Sequence, residues 1–443
     1  MAKATTKPHL ADSFKNKAAI KRRKEFDANF QSSFNNSTAA YKHFEDAKKQ
    51  AAYIKWKAIE NLETLLTDFE SKARLNGITV HWAPSARDAK DQIVSIATQN
   101  KVKRITQTGY TALNELRLHE ALTEANIDLA TADASNYLNA QEQKTPAHPF
   151  FGSFNLSEKE ITENLHDKSL GGLQSAESEQ YENIKSIIDA KFKIADAHLC
   201  AANFICADTG DICVVDTEGG ALKGLSKTKT NIIVAGIDTV IPSINNIEIF
   251  THLLALYGVA KPNAVYTKLL RRNREAKNKN THIILLDDGR TEKLKDPEYR
   301  SLLHCINCGA CYQVCPLVKT SGTEEHAFKE GPLGLAKGSV AHSSLMCEKC
   351  TTTCPVHIPI HNIILNNKKG SGGLMRATKK KSMYYFFWKQ TIMNRDIMNL
   401  GGVKTRRQIN KKLFSPWWGS TSTIPDVRTE CFNEAWRNKY GED

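Results

Sequence analysis

One segment constrains this 443-residue chain more than any other, and it reads Cys305-Ile-Asn-Cys308-Gly-Ala-Cys311-Tyr-Gln-Val-Cys315-Pro316. A second segment, Cys347-Glu-Lys-Cys350-Thr-Thr-Thr-Cys354-Pro355, repeats the end of this pattern but lacks its first cysteine. Together the two segments hold seven of the 11 cysteines of the chain. The first has the C-x2-C-x2-C-x3-C-P spacing of bacterial-type iron–sulfur proteins. The sequence therefore predicts two iron–sulfur clusters.

The spacing also predicts which cysteines share a cluster. In two-cluster proteins with this motif, the cysteine before proline binds the other cluster, so that ligation is crossed between the motifs. The first cluster, a [4Fe-4S] cluster, is then held by Cys305, Cys308, Cys311 and Cys354. The second cluster receives Cys315, Cys347 and Cys350.

The second motif lacks one ligand, and its position follows from the spacing. Cys350 and Cys354 match the third and fourth cysteines of a complete motif, and Cys347 matches the second. The vacant first position is Ser344. A serine oxygen, a water molecule, another cysteine or a [3Fe-4S] cluster would each resolve the vacancy, so the second cluster is expected to be [4Fe-4S] or [3Fe-4S].

Structural zinc is the main alternative for these cysteines, because zinc sites also use C-x2-C pairs. A zinc site normally takes four ligands, whereas seven cysteines are present in the two motifs. Zinc also gives no reason for two Cys-Pro pairs at matching offsets. We therefore favour iron–sulfur clusters.

Composition limits the other function classes. The chain has 61 Lys and Arg against 48 Asp and Glu, a formal net charge of +13. Such a charge suits nucleic acid, a membrane surface or an acidic partner. No recognition-helix, C2H2 or RNA-binding aromatic motif is present in the sequence. We therefore expect no nucleic-acid partner.

Targeting signals and the remaining cysteines suggest a compartment. Residues 1–30 are basic but lack the apolar core of a secretory signal. No apolar run reaches the roughly 18 to 20 residues of a spanning helix, so we expect no transmembrane segment. The cysteines outside the motifs are expected to be free thiols, as in a reducing cytoplasm: Cys200, Cys206, Cys213 and Cys431. We predict a cytoplasmic protein, and a peripheral position at a membrane stays open.

Strands and helices alternate at short intervals in the middle of the chain, which indicates an α/β sheet covered by helices. Apolar runs predict strands at 78–82, 104–108, 127–130, 212–215, 231–234 and 283–286. Helical spacing predicts helices at 59–69, 86–98, 113–125 and 184–196. A mainly α-helical two-cluster ferredoxin domain follows this α/β domain.

The sequence predicts that the chain is divided into four segments. They are a polar, helical N-terminal segment (1–58), the α/β domain (59–295), a ferredoxin-like iron–sulfur domain (296–369) and a basic, aromatic C-terminal docking segment (370–443). In the first segment, Ser37-Thr38 is predicted to cap a helix that begins at Ala39. The last segment opens with a glycine-rich linker, Gly370-Ser-Gly-Gly373.

The α/β domain contains one candidate ligand site, formed by two glycine-containing turns around a predicted strand. Backbone N–H groups and a carboxylate in such turns can bind a small ligand, although ordinary hairpin turns have the same composition. The candidate residues are Asn203, Asp208, Thr209, Gly210, Glu218, Gly219 and Gly220.

The chain resembles the lactate-utilisation protein B family, the iron–sulfur proteins of bacterial L-lactate utilisation systems. The resemblance covers about residues 60–436 and rests on these segments: Val80-His-Trp-Ala83, Ala202-Asn-Phe-Ile-Cys-Ala-Asp-Thr-Gly210, Gly236-Ile-Asp-Thr-Val-Ile-Pro242, Leu285-Leu-Asp-Asp-Gly-Arg290, Cys305–Cys311 and Cys350–Pro359. It implies a LUD domain, an α/β fold similar to ribose-phosphate isomerases and CoA transferases. It also implies two partners, a cysteine-rich subunit and a second LUD protein.

Two functions are consistent with these features. The first, implied by the resemblance, is electron transfer within a complex that oxidises L-lactate to pyruvate. The second is a stand-alone oxidoreductase, in which the LUD domain binds another small carboxylate or acyl substrate and the clusters accept its electrons. We favour the first.

Overall fold

The computed structural model describes residues 17–109, 113, 116, 118–141, 177–263, 266–271, 280–316, 319, 332, 344–370, 386, 389–390, 393–394, 408 and 432–441. The chain forms two compact units, Met1–Ser371 and Gly372–Asp443. The described part of the first unit contains both sheets and all seven motif cysteines.

The strands of the first unit are numbered in chain order. They are β1 (Ile78–Ala83), β2 (Arg104–Gln107), β3 (Asp128–Thr131), β4 (Ala197–Ala201), β5 (Phe204–Cys206), β6 (Ile212–Asp216), β7 (Thr230–Gly236), β8 (Val240–Ile241), β9 (Tyr266–Leu270) and β10 (Asn280–Leu286). All six strands predicted from apolar runs are confirmed to within a few residues.

The helices are numbered in the same way. They are α1 (Lys17–Ala39), α2 (Phe44–Glu60), α3 (Leu62–Leu75), α4 (Ala86–Gln99), α5 (Leu118–Glu124), α6 (Ala134–Gln141), α7 (Glu177–Ile194), α8 (Gly220–Lys227), α9 (Ile247–Val259), α10 (Arg290–Lys295), α11 (Ala310–Val314), α12 (Lys349–Thr352), α13 (Ile360–Gly370) and, in the second unit, α14 (Phe432–Tyr440). Short 3-10 segments lie at Ile237–Thr239, Ile244–Asn246 and Arg300–His304.

Six parallel strands form the larger sheet, in the order β1-β10-β7-β4-β2-β3. The sheet is parallel because its strands are joined through helices, as the alternating pattern predicted. Every residue of β7 is buried, since β7 is a central strand with elements packed on both faces. The predicted α/β fold is confirmed.

A smaller sheet, in the order β8-β5-β6-β9, lies between the larger sheet and the two cysteine motifs. Its side chains alternate between two cores, as expected for a strand period of two. Ile205 and Ile212 face the core shared with the larger sheet, whereas Phe204 and Cys213 face a second core with α9. The motif cysteines Cys305, Cys308, Cys311 and Cys354 belong to that second core.

The N-terminal helices differ from the prediction. Ser37 and Thr38 lie at the end of α1 rather than before a helix, and the next helix begins at Phe44. The Thr38 hydroxyl donates to the carbonyl of Phe34 within α1, and the Ser37 hydroxyl donates to the distant carbonyl of Ala260 at the end of α9. These hydroxyls satisfy carbonyl groups instead of capping a helix start, which is the reason the prediction was wrong.

The predicted helix at 59–69 is also divided in the structure. Helix α2 ends at Glu60, and α3 begins at Leu62. At the break, the Asn61 side chain donates to the carbonyl of Lys57. Asparagine competes with the helix for backbone hydrogen bonds, so the break at this residue has a local cause.

The second unit is described for few residues. Its helix α14 contains Trp436 and Tyr440 with ring centroids 4.5 Å apart. Most of the predicted docking segment and Cys431 lie outside the described residues. The predicted domain boundaries stay a prediction.

Candidate metal centre

Four thiols line one pocket of the first unit. Its walls include Tyr312, Val356 and Ile360, and its thiols come from both motifs: Cys305, Cys308, Cys311 and Cys354. Each of these cysteines is at most 8% exposed. The crossed ligation pattern assigns these same four cysteines to the first cluster. Their role as ligands stays a prediction.

The ionisation of these thiols indicates what the pocket can hold. Burial raises the pKa of Cys305 to about 12. Burial and the charges of neighbouring thiolates also raise the pKa values of Cys308 and Cys311. The four thiols can therefore all ionise only when a cationic centre lies among them. Metal binding at such a site releases the thiol protons. A cluster with cysteine ligands fits this donor set.

The other three motif cysteines form a second, more open group. Cys315 and Cys350 are half-buried and Cys347 is exposed. Burial, together with the charges of Cys315 and Cys347, raises the pKa of Cys350 to about 11. The charge of Cys350 also raises the pKa of Cys311, so the two groups are neighbours.

The two motifs share one backbone conformation. Asn307 and Gly309 in the first motif have positive φ angles of 56° and 78°, and the matched residues Met346 and Glu348 have 53° and 60°. Such angles are uncommon outside glycine, so their recurrence at matched positions is informative. Each motif then turns into a short helix, α11 or α12. The structure thus supports the alignment of the incomplete motif with the complete one.

Backbone N–H groups point at the sulfur atoms of the buried group. Asn307 donates its N–H to Cys305 Sγ at 3.3 Å, and Ile358 donates to Cys354 Sγ at 3.4 Å. Hydrogen bonds to cluster sulfurs stabilise negative charge there and tune the reduction potential. The pocket therefore provides backbone hydrogen-bond donors to the sulfur atoms in addition to its four thiols.

No group of three or more His, Cys, Asp or Glu side chains has the geometry of a single-ion site within the part of the chain that the structure describes. The four buried thiols nevertheless share a pocket. A shared pocket without single-ion geometry fits a four-iron cluster. In such a cluster each thiolate binds a different iron atom, so the four sulfur atoms need not converge on one point.

Sequence reasoning missed a group of charged residues beside the buried thiols. Lys55 of α2 is fully buried, and its ammonium donates to the carbonyl of Asp238. Burial lowers the pKa of Lys55 to about 8, while the charges of Asp238 and Cys305 oppose that shift. Burial raises the pKa of Cys354, and the charge of Lys48, two turns earlier on α2, partly opposes that shift. Helix α2 therefore places two cations next to the pocket.

The Asp238 carboxylate has its own partner. Arg290 donates from Nε to Asp238 Oδ1 at 2.6 Å, with both side chains at most 5% exposed. The two residues follow the adjacent parallel strands β7 and β10. That placement was the signal available in the sequence, namely opposite charges just after two buried strands.

The candidate ligand turns of the α/β domain lie at opposite ends of β6. The first turn joins β5 to β6, and its Asp208 carboxylate accepts from the Ser243 hydroxyl and the Ile244 N–H. In the same turn, Gly210 approaches the backbone of Lys72 and Ala73 so closely that a side chain would collide. The Thr209 hydroxyl accepts from the N–H of Asp211.

The second turn follows β6. Glu218 accepts hydrogen bonds from the N–H groups of Ala134 and Ser135 at the start of α6. Gly219 has a φ of 78°, and Gly220 begins α8. Asn203, before β5, accepts from the N–H of Val215. The structure therefore does not bring the seven predicted residues together, and most of their polar groups stabilise the fold.

Comparison with protein families identifies the two parts of the chain. Residues 66–286 match the LUD domain, and residues 301–358 match the 4Fe-4S dicluster domain. The chain contains a LUD domain followed by a 4Fe-4S dicluster domain. Both thiol groups fall in the dicluster domain, and both sheets fall in the LUD domain.

Relatives of known name share most of the chain. It is similar to the uncharacterized electron transport protein YkgF of Escherichia coli, with 26% identity over 344 residues that cover 74% of this chain and 72% of the relative. The lactate utilization protein B of Bacillus velezensis is 25% identical over 347 residues, with the same coverage. That of Geobacillus thermodenitrificans is 25% identical over 343 residues. The resemblance to the lactate-utilisation protein B family is confirmed.

One solved structure, a DUF162 family protein of Deinococcus radiodurans, covers 51% of this chain and 98% of its own, at 14% identity and a TM-score of 0.28. This score is too low to establish a shared fold. Within the described residues, no helix is long and apolar enough to cross a membrane.

Proposed function

We propose that this chain is an electron-transfer subunit of a complex that oxidises L-lactate to pyruvate. The observation that carries the proposal is the pair of neighbouring thiol groups, one buried and one open to the surface. A buried cluster beside a surface cluster provides a path for electrons between the interior of an assembly and a partner. The names of the relatives point to the same role and to lactate.

The chain's own residues would perform three tasks in this role. Crossed ligation by the two motifs holds the clusters next to each other. Lys48 and Lys55 offset the negative charge of the buried cluster. The clusters supply one-electron redox chemistry when bound, whereas removal of an electron pair and protons from lactate needs a substrate site.

We place that substrate site in a partner, either a cysteine-rich subunit or a second LUD protein. The predicted ligand turns of this LUD domain support that choice, because Asp208 and Glu218 already bind backbone N–H groups. A stand-alone oxidoreductase would need these or other polar groups to be available for a small carboxylate.

Anaerobic reconstitution of the purified chain tests the proposal. We expect iron and acid-labile sulfide in amounts that match two clusters, and reduction of the clusters by L-lactate only when the partner subunits are added. Turnover of L-lactate with an artificial acceptor by this chain alone would show that it is an oxidoreductase in its own right. Bound zinc without sulfide would rule out an electron carrier.

The buried lysine gives a second test. Lys55→Met removes a positive charge next to the first cluster, and a positive charge stabilises the reduced, more negative cluster. We expect the reduction potential of the first cluster to fall by on the order of 50 mV, which is roughly 1 kcal/mol for a one-electron couple. EPR-monitored redox titration measures it. Lys57→Met, an exposed position on the same helix, is the matched control and should leave the potential unchanged.

A further inference from the structure

The open thiol group contains three cysteines, and its fourth position is occupied by Ser344. We propose that the Ser344 hydroxyl oxygen is the fourth protein ligand of the second cluster. This inference rests on the proposed iron–sulfur function and adds an oxygen ligand to it.

The first argument is the backbone. The matched positive φ angles at Asn307 and Met346, and at Gly309 and Glu348, show that the loop after Ser344 follows the same course as the loop after Cys305. The residue at the start of each loop is therefore carried to an equivalent place relative to the cysteines that follow.

The second argument is the hydrogen bond inside each loop. The N–H of Asn307 donates to Cys305 Sγ at 3.3 Å, and the N–H of Met346 donates to Ser344 Oγ at 3.2 Å. The serine oxygen thus takes the place of the ligand sulfur in the same local hydrogen bond. The Ser344 oxygen and the Cys305 sulfur therefore have the same relation to the backbone of their loops.

The following turns repeat as well. Cys315 donates its N–H to the carbonyl of Tyr312, and the matched Cys354 donates to the carbonyl of Thr351. Glu348 and Gly309 each accept from the residue three positions later. The repeat therefore extends from the first ligand position to the last, and Ser344 is the one ligand position without a sulfur atom.

The Ser344 segment is also held in place by a more distant residue. Lys368 of α13 donates from Nζ to the carbonyl of Ser344 at 2.8 Å. Ser344 is itself half-buried, in contrast to the exposed Leu345. A tethered backbone presents a side chain with less loss of conformational freedom when a ligand bond forms.

The chemistry of an oxygen ligand sets the expected behaviour. A C–O bond is shorter than a C–S bond, and a hydroxyl is a harder donor than a thiolate, so its bond to iron is weaker. The iron atom at Ser344 should be the most easily lost of the cluster, yet retained better than an iron with no protein ligand. When an added oxidant such as ferricyanide removes one electron from the [4Fe-4S] cluster, loss of this iron as Fe(II) leaves a [3Fe-4S] cluster.

Two substitutions at this position test the inference. In anaerobically reconstituted protein, iron release to an Fe(II) chelator under mild oxidation is followed together with the EPR signal of the three-iron form. We expect Ser344→Ala to release this iron at least tenfold faster than the wild type, because even changes outside the ligand shell cost roughly 10- to 100-fold in metal affinity. Ser344→Cys, which completes the motif, should retain the iron longer than the wild type.

A control and two contrary outcomes complete the experiment. Thr352→Ala, at an exposed position of α12, should release iron at the wild-type rate. Equal release from the wild type and Ser344→Ala would show that Ser344 is not a ligand while leaving the electron-transfer proposal intact. Absence of iron and sulfide from the wild type itself would instead overturn the proposed function. Mössbauer spectra should show one distinct iron site in the wild type and its loss in Ser344→Cys.

Discussion

Cys354→Ala should abolish the first cluster, although Cys354 belongs to the second motif. The thiol of Cys354 lines the same pocket as Cys305, Cys308 and Cys311. Its charge also contributes to the raised pKa values of those three cysteines. Loss of one of four thiolates from a buried site leaves an iron without a ligand in a pocket that water hardly reaches. We expect the iron and sulfide content to fall to roughly half, as for the loss of one cluster of two.

The matched variant is Cys315→Ala. Cys315 lies in the first motif, but its charge acts on Cys350 of the open group. We therefore expect Cys315→Ala to affect the second cluster and to leave the first.

EPR spectra of paired variants distinguish crossed from uncrossed ligation. Under crossed ligation, the spectrum of Cys354→Ala should match that of Cys308→Ala, and the spectrum of Cys315→Ala should match that of Cys347→Ala. Uncrossed ligation predicts the opposite pairing, in which Cys354→Ala matches Cys347→Ala. The comparison needs no prior assignment of either signal to a cluster.

Local sequence signals predicted the features that depend on neighbours in the chain. The spacing of Cys347, Cys350 and Cys354 was enough to place Ser344 at the vacant position, and the backbone angles of both loops support that alignment. Apolar runs located the strands because a buried parallel strand needs a continuous apolar segment. These features are encoded over a few residues.

Features that depend on distant partners were not predictable. The Ser37 hydroxyl bonds to Ala260, and Lys55 bonds to Asp238, across 223 and 183 residues of chain. The turn containing Glu218 has the composition of a ligand site, but its carboxylate caps α6, a helix far earlier in the sequence. The presence of polar residues in a turn does not show whether they form hydrogen bonds with a ligand or with other parts of the protein.

The buried pair of Asp238 and Arg290 should be a strong determinant of stability in the first unit. Asp238→Ala leaves the Arg290 guanidinium, which is 5% exposed, without its carboxylate. Removal of one partner from a buried ion pair costs about 3–5 kcal/mol, because the remaining charge is uncompensated. That is a large part of the roughly 5–15 kcal/mol by which domains are stable.

Urea unfolding measures this loss, with Glu182→Ala as the control. Glu182 pairs with Lys185 at 3.2 Å, but both side chains are more than half exposed, so its removal should cost about 0–1 kcal/mol. A loss below 1 kcal/mol for Asp238→Ala would mean that other acceptors compensate the Arg290 guanidinium, such as the Asp287 carbonyl, which already accepts from its Nη1 at 3.0 Å. Since the Asp238 carbonyl also accepts from Lys55 beside the first cluster, the variant should also release iron faster than the control. The ion pair thereby links the end of the parallel sheet to the cluster pocket.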